Sequence, residues 1–304
     1  MTGGYHAGEI AVQRQAGERE MAERVGQIFQ PTIKYAMRIF LHQQRIAVLG
    51  SIDARGAVWA SVLTGEPGFL RTLDDETVQI DALPAAGDPL IENIGAHPEV
   101  GMVVIDLATR QRGRLNGVAT VLPDGGLLLA TRQVYTNCQQ YIQQRDLPAE
   151  SSETQATQTV MESATLTAGQ RAWIAGADTF FIASAHSESG ADASHRGGAP
   201  GFVRILDDSA LVWPDYSGNK MFNTLGNITV NPRAGLLFID FAAGRTLQLT
   251  GSARVIWDAD QIAAVPGAER LVAFQIARVR ETVGVVALRR RFVAYSRFNP
   301  NPAV

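Results

Sequence analysis

The apolar positions change period along the chain, and each change marks an element. Residues 18–44 carry Ile33, Met37, Phe40 and Leu41 at helical spacing, which predicts two helices with Pro31 in the first turn of the second. From Ile46 the period becomes that of a strand: IAVLGSI, a turn at Asp53-Ala54-Arg55-Gly56 and AVWASVL predict a β-hairpin. Glycine, proline and aspartate clusters then separate FLRTL, DETVQI, GMVVIDL, RGRLNGVATVL and LLLATRQVY, with a short helix over 89–96. TNCQQYIQQR predicts a turn into a short helix. Residues 146–164, rich in Ser, Thr, Gln and Glu, predict an exposed connector. Thr167 caps a further short helix, TFFIASA opens a second β-rich series, and Leu271 to Val279 alternates as a closing strand. The first 17 residues are glycine-rich and irregular; His6 and Glu9 there fit a surface arm better than a ligand pair.

The second β series repeats the first. GEPGFLRTLDD, starting at Gly65, matches GAPGFVRILDD, starting at Gly198, at eight of eleven positions. Shifted by one residue, GMVVIDL aligns with GLLFIDF and LNGVATV with LTGSARV. A repeat of this length predicts two copies of one domain in tandem, and short strands with glycine turns predict an antiparallel barrel for each. The expected division is an N-terminal arm with helices (1–44), a first barrel (45–145), a linker (146–164) and a second barrel (165–304).

The copies differ where polar chemistry concentrates. Ser194 aligns with Ser61, but His195 and Arg196 align with Val62 and Leu63, Asn219 and Lys220 with Ala85 and Ala86, and Gln248 with Arg114. Ser217-Gly218-Asn219-Lys220 precedes Met221, Leu225 and Ile228 at helical spacing. Free backbone N–H groups at a helix start, a glycine and a lysine suit a phosphate; an ordinary capped start has the same pattern. The G-x-P-G-F turn, common to both copies, serves the fold, and the unshared polar residues are the functional candidates.

Composition removes several classes. A net charge of −3, from 27 basic and 30 acidic residues, gives no footprint for sequence-independent nucleic-acid binding. The single cysteine, Cys138, excludes an intrachain disulfide and a cysteine-based zinc site, and reads as packed rather than reactive. No stretch reaches the ~18 apolar residues of a membrane helix. MTGGYHAGEI has no basic segment followed by an apolar one, so a cytoplasmic protein is expected.

YHAGEIAVQRQAG, GEPGFL, NCQQYIQ, SHRGGAPGFV, PDYSGNKMFNTLGNI, NPRAGLLF and LQLTG together resemble the pyridoxamine 5'-phosphate oxidase-like, FMN-binding split β-barrel family, in its long bacterial form with two barrels. The resemblance implies a mainly β fold with short helices, as two tandem split barrels behind a helical arm. It implies FMN at the barrel junction, with Ser194, His195 and Arg196 from a strand and Asn219 and Lys220 from a helix start holding the phosphate, and Gln248 at the ring edge. Tyr216 belongs to Trp213-Pro214-Asp215-Tyr216, which replaces the family's aromatic-threonine-asparagine segment. Asn137 is a candidate for reaching the site from the other barrel. The first barrel would serve as a built-in partner, making the chain a pseudo-dimer, with homodimerisation open. The C-terminus, ALRRRFVAYSRFNPNPAV, lacks the Trp-x-Arg-x-Arg-Leu type pattern of the authentic oxidase, so pyridoxamine-phosphate oxidation is not expected. The resemblance points to a flavin-dependent oxidoreductase with a small-molecule substrate or electron donor. Deazaflavin or haem as the cofactor, and a non-enzymatic flavin-binding module, are the alternatives; a haem would draw on His6, His42, His97, His186 or His195.

Overall fold

The structure, a computed structural model, describes residues 4–147 and 157–300. Three helices come first, α1 (Ala7–Gln15), α2 (Arg19–Gly26) and α3 (Tyr35–His42). The first series is β1 (Ile46–Ile52), β2 (Val58–Thr64), β3 (Leu70–Thr72), β4 (Thr77–Ile80), α4 (Leu90–Ala96), β5 (Glu99–Asp106), β6 (Gln111–Val121) and β7 (Leu127–Asn137). Strands β8 (Gln144–Asp146) and β9 (Thr159–Ser163) and helix α5 (Ala168–Gly176) lead into the second series. This is β10 (Thr179–His186), β11 (Gly190–Gly197), β12 (Arg204–Ile205), β13 (Ala210–Tyr216), α6 (Asn223–Val230), β14 (Arg233–Asp240) and β15 (Arg245–Ile256), then α7 (Ala259–Ala263), β16 (Ala268–Val283) and β17 (Arg291–Ala294).

The two large sheets are antiparallel and have one topology, and β17 pairs with β8 in a separate two-stranded sheet. The order β2-β1-β5-β6-β7-β4-β3 recurs as β11-β10-β14-β15-β16-β13-β12, with β9 added to β16. Neither sheet closes on itself, so each is a split barrel. Even the irregularity recurs: the β6–β7 ladder shifts register at Asn116/Gly117 and the β15–β16 ladder at Thr250/Gly251. A Cβ at either glycine would overlap the carbonyl of Ala130 or Gln275 across the ladder, so the bulge requires glycine in both copies.

Among the described residues, strand alternation builds three large cores rather than two, beside a small cluster of Tyr5, Ala22, Tyr135 and Met221 at the N-terminal helices. Ala47 and Leu49 of β1, with Met37 and Leu41 of α3 and Leu90 and Ile94 of α4, fill the first barrel. Phe180 and Ile182 of β10, with Ile174 of α5 and Leu225 and Ile228 of α6, fill the second. The other faces of the same strands, Ile46 and Val48 against Phe181, Ala183, Leu237 and Ile239, make a third core between the barrels. Strands apolar on both faces therefore mark the junction. Gly101 lies against the backbone at Asp192, and Gly235 against the backbone at Trp59. Because these are equivalent positions in the repeat, the barrels meet about a pseudo-twofold axis, as the two subunits of a symmetric dimer do.

Several local expectations change. Residues 4–17 are not a loose arm: α1 carries a capping box at His6 and Glu9, and docks on α6 where Gly8 and Gly226 bring the helix backbones together. Pro31 is outside any helix. The segment there bridges Gln30 to Val134 of β7, and the Pro31 carbonyl accepts the Thr131 hydroxyl at 2.6 Å, so the first barrel's sheet holds it extended. TNCQQYIQQR forms no helix; Tyr141 takes a left-handed turn (φ 63°) and the chain enters β8. Within the expected connector, β9 pairs with β16, and residues 148–156 lie outside the described part. No helix among the described residues is long and apolar enough to cross a membrane.

Candidate functional site

A cleft, open to solvent at its mouth, lies where β11, β13 and the start of α6 face β6 and the β7–β8 connection. Ser194, His195, Arg196, Tyr216, Asn219 and Lys220 all line it. The side chain of Gln248 is elsewhere: it donates to the Ala60 carbonyl at 3.0 Å and to Asp88 Oδ2 at 2.8 Å. Asn137 ends β7 with its backbone opposite Arg112, and its side chain lies outside the described residues.

Strand β11 divides its three candidates between two faces. Ser194 and Arg196, two residues apart, share a face, and Arg196 Nη1 donates to Ser194 Oγ at 2.7 Å. His195 points the other way, edge-on to Phe181 of the junction core, and its Nδ1 is 3.1 Å from Arg112 Nη1 of the first barrel. A guanidinium only donates, so Nδ1 accepts and the remaining imidazole proton sits on Nε2. Burial, with Arg112 and Arg196 nearby, holds the His195 pKa well below the usual value, so the ring is neutral and orients Arg112 instead of adding charge.

The first barrel contributes two arginines that the sequence reading did not assign to the site. Arg114 is buried, ion-paired to Asp192 and within 5.1 Å of the Tyr135 ring. Arg112 is half-buried, and burial together with Arg196 and Arg114 lowers its pKa to about 9. Among the described residues, neither Arg112 nor Arg196 has a carboxylate within ion-pairing distance. Arg112 Nε and His195 Nε2 are buried without a hydrogen-bond partner. Asp215 lies close enough to act on Arg196 but is ion-paired to Arg270. Two neighbouring guanidiniums without a directly paired carboxylate, beside unused donors and a hydroxyl, suit an oxyanion. The repeat carried the signal for Arg114: it stands opposite Gln248, and a pseudo-twofold junction sets the β6 residue, not the β15 residue, against β11.

The S-G-N-K segment is a loop, and α6 begins three residues later, at Asn223. Lys220 and Phe222 both have φ of 61°, which lets the loop fold back before the helix starts. Among the described residues, three of the four non-glycine residues with positive φ, Tyr141, Lys220 and Phe222, line this cleft, and such backbone conformations gather at functional sites. Lys220 Nζ is 3.1 Å from Glu18 and 3.1 Å from Glu269. Burial opposes its charge, but these two carboxylates outweigh it and raise its pKa. Tyr141 OH donates to the Ser217 carbonyl at 2.9 Å, and the Tyr141 and Tyr216 rings stand 5.2 Å apart at the mouth. The arm reaches the same place: Glu9 Oε1 accepts from Asn223 Nδ2 at 2.6 Å, and Gln13 Nε2 donates to the Met221 carbonyl at 2.9 Å. No group of three metal-ligating side chains occurs among the described residues.

No curated protein matches the chain in sequence. Among solved structures it is similar to HupZ of Group A Streptococcus, at 13% identity over 38% of this chain and 91% of that one, with a TM-score of 0.32. It is also similar to a Clostridium acetobutylicum protein of the pyridoxinephosphate oxidase family related to general stress protein 26, at 9% identity over 41% and 92% of the two chains, TM-score 0.32. A third similar structure is the FAD binding protein of Mycobacterium smegmatis, at 13% identity over 43% and 100%, TM-score 0.28. The family model for pyridoxamine 5'-phosphate oxidase matches twice, at residues 33–162 and 166–293, one match for each split barrel. The chain belongs to the pyridoxamine 5'-phosphate oxidase family, as two tandem copies of its domain.

Proposed function

We propose that the chain is a flavin-dependent oxidoreductase acting on a small molecule, with FMN seated at the barrel junction and one chain supplying both halves of the site. The observation that carries this reading is the pair Arg112 and Arg196, one from each barrel, facing a shared cleft without carboxylate partners. Ser194 Oγ and the two guanidiniums would hold the phosphate, and Tyr141 and Tyr216 would flank the mouth. A bound flavin supplies hydride or electron transfer; the protein's part is to bind and orient it and to limit water. His195, neutral and bonded to Arg112, positions that arginine and is not placed as a general base.

The test compares FMN with riboflavin, which lacks the phosphate, by absorbance after removal of unbound ligand. FMN retained at one per chain and riboflavin lost supports the reading. Equal retention of both, or of neither, overturns the phosphate seat. His195 is the one imidazole among those lining the cleft, and its Nε2 has no partner, so a haem titration belongs in the same experiment. A Soret band abolished by His195→Ala would move the assignment to haem.

A further inference from the structure

The repeat generates a second position at the junction, equivalent to the cleft and closed. Ser61 of β2 stands where Ser194 stands in β11, because Leu49↔Ser61 and Ile182↔Ser194 are the same pair in the two ladders. Gln248 stands where Arg114 stands, because each lies opposite the matching junction residue, Leu237 or Val103. A bond made twice anchors this equivalence: Asn93 Nδ2 to Ser51 Oγ at 2.9 Å, and Asn227 Nδ2 to Ser184 Oγ at 3.0 Å.

At the open cleft, Ser194 and Arg114 border free space. At the closed position their equivalents converge on one carboxylate. Ser61 Oγ donates to Asp88 Oδ1 at 2.7 Å, the Leu90 N–H donates to the same oxygen at 2.9 Å, and Gln248 Nε2 reaches across the junction to Oδ2 at 2.8 Å. More donor capacity lies alongside. Arg280 of β16 keeps Nε and Nη1 buried without hydrogen-bond partners, while its Nη2 engages Glu162. A Cβ built on Gly87, next to Asp88, would be 3.7 Å from that Nη1. A hydroxyl, an amide, a backbone N–H and an underused guanidinium, drawn from both barrels, form a donor set for an oxyanion.

We infer that this position is a second anion site whose resident anion is the chain's own Asp88 side chain, and that a small oxyanion of the carboxylate or phosphate class takes its place once that side chain is removed. The inference rests on the repeat and on these hydrogen bonds, and stands apart from the flavin reading. Its consequence is stoichiometric: a chain built from two copies offers an external anion one open site instead of two.

The test is chemical rescue in the full chain. Asp88→Ala should melt several degrees below the wild type, because Ser61 Oγ, the Leu90 N–H and Gln248 Nε2 lose their acceptor. Formate or inorganic phosphate at tens of millimolar should recover at least half of that loss, and chloride at matched ionic strength should not. Adding Ser61→Ala should abolish the recovery. Calorimetric titration with inorganic phosphate should show one more binding event per chain in Asp88→Ala than in the wild type. An Asp88→Ala chain that gains no more from formate or phosphate than the wild type overturns the inference. Should Asp88→Ala not fold, Asp88→Asn keeps the shape and fills the position with an amide. It should show no formate response beyond that of the wild type, and a larger response overturns the inference. Wild-type phosphate binding tests the open cleft alone, so the two readings fail separately.

Discussion

Arg112 of the first barrel donates to Nδ1 of His195 of the second at 3.1 Å, and this bond joins the copies at the floor of the cleft. It fixes the imidazole as neutral and the guanidinium as the charged member. Arg112→Ala should therefore weaken FMN binding by about tenfold or more, since a charge-assisted bond to phosphate is worth about 1.5–3 kcal/mol. Flavin fluorescence quenching on titration measures it. An unchanged affinity would remove Arg112 from the phosphate seat.

Burial of the same imidazole, with the Arg112, Arg196 and Arg145 charges nearby, gives stability a pH dependence. The folded pKa of His195 lies well below its ordinary value of 6.5, so the unfolded chain takes up this proton first. Stability should fall as pH drops below about 6.5, until the folded pKa is reached, and His195→Gln should flatten that limb. Denaturant midpoints for both chains across the acid range decide it; parallel profiles would contradict the buried neutral imidazole.

Glu9 should act with the opposite sign. Burial raises its pKa to about 7 from 4.5, against the bonds from the His6 N–H and Asn223. The folded chain thus holds a proton that the unfolded chain has released, and stability declines as pH rises from about 4.5 through 7. Glu9→Gln, permanently neutral, should lose less stability than the wild type between pH 5 and 8. The difference has a ceiling of about 3 kcal/mol, from 1.36 kcal/mol per pKa unit. Chemical denaturation at the two pH values tests this, and the paired measurement cancels the hydrogen bond that the amide cannot remake.

Much of this architecture was legible in the sequence because the two copies report on each other. The G-x-P-G-F turn and the shared strands pointed to both barrels, and the unshared His195 and Arg196, opposite Val62 and Leu63, pointed to the strand that lines the cleft. The failures share a cause. Gln248 was assigned to the strand's own copy, whereas the junction sets each β11-type strand against the β6-type strand of the other copy, so that Arg114 meets the cleft. Glu9 and α1 looked like an irregular arm because the partner that makes them regular, Gly226 of α6, is over two hundred residues away. The S-G-N-K segment carries a helix-start pattern, yet positive φ at Lys220 and Phe222 delays the helix to Asn223.

The junction glycines give a control for backbone approach. An added Cβ at Gly101 or Gly235 would press into the strand of the opposite barrel, whereas at Gly95, in α4, it would meet nothing within 4 Å. Gly101→Ala and Gly235→Ala should each destabilise by about 1–3 kcal/mol or more, as overpacking does. Gly95→Ala should be neutral or stabilising by up to about 1 kcal/mol, because alanine favours the helix. Equal effects at all three positions, by urea denaturation, would show that the barrels do not rely on this contact.

The two cations of the second barrel should contribute unequally to anion binding. Among the described residues, Arg196 donates to Ser194 Oγ and the His195 carbonyl and forms no direct ion pair, so its charge is available to a ligand. Lys220 is already held by Glu18 and Glu269, and an incoming phosphate must compete with both. Arg196→Ala should therefore cost about tenfold or more in FMN affinity and Lys220→Ala only about threefold, on a scale where 1.4 kcal/mol is tenfold. Removing the competitor should work in reverse. Glu18 lies just ahead of α2, and Glu18→Gln should free Lys220 and tighten FMN binding by roughly two- to fivefold, most clearly at low salt, where charge is least screened. If Glu18→Gln weakens binding, the arm holds Lys220 in its productive place and does not restrain it. If Lys220→Ala costs as much as Arg196→Ala, the lysine reaches the phosphate directly despite its two carboxylates.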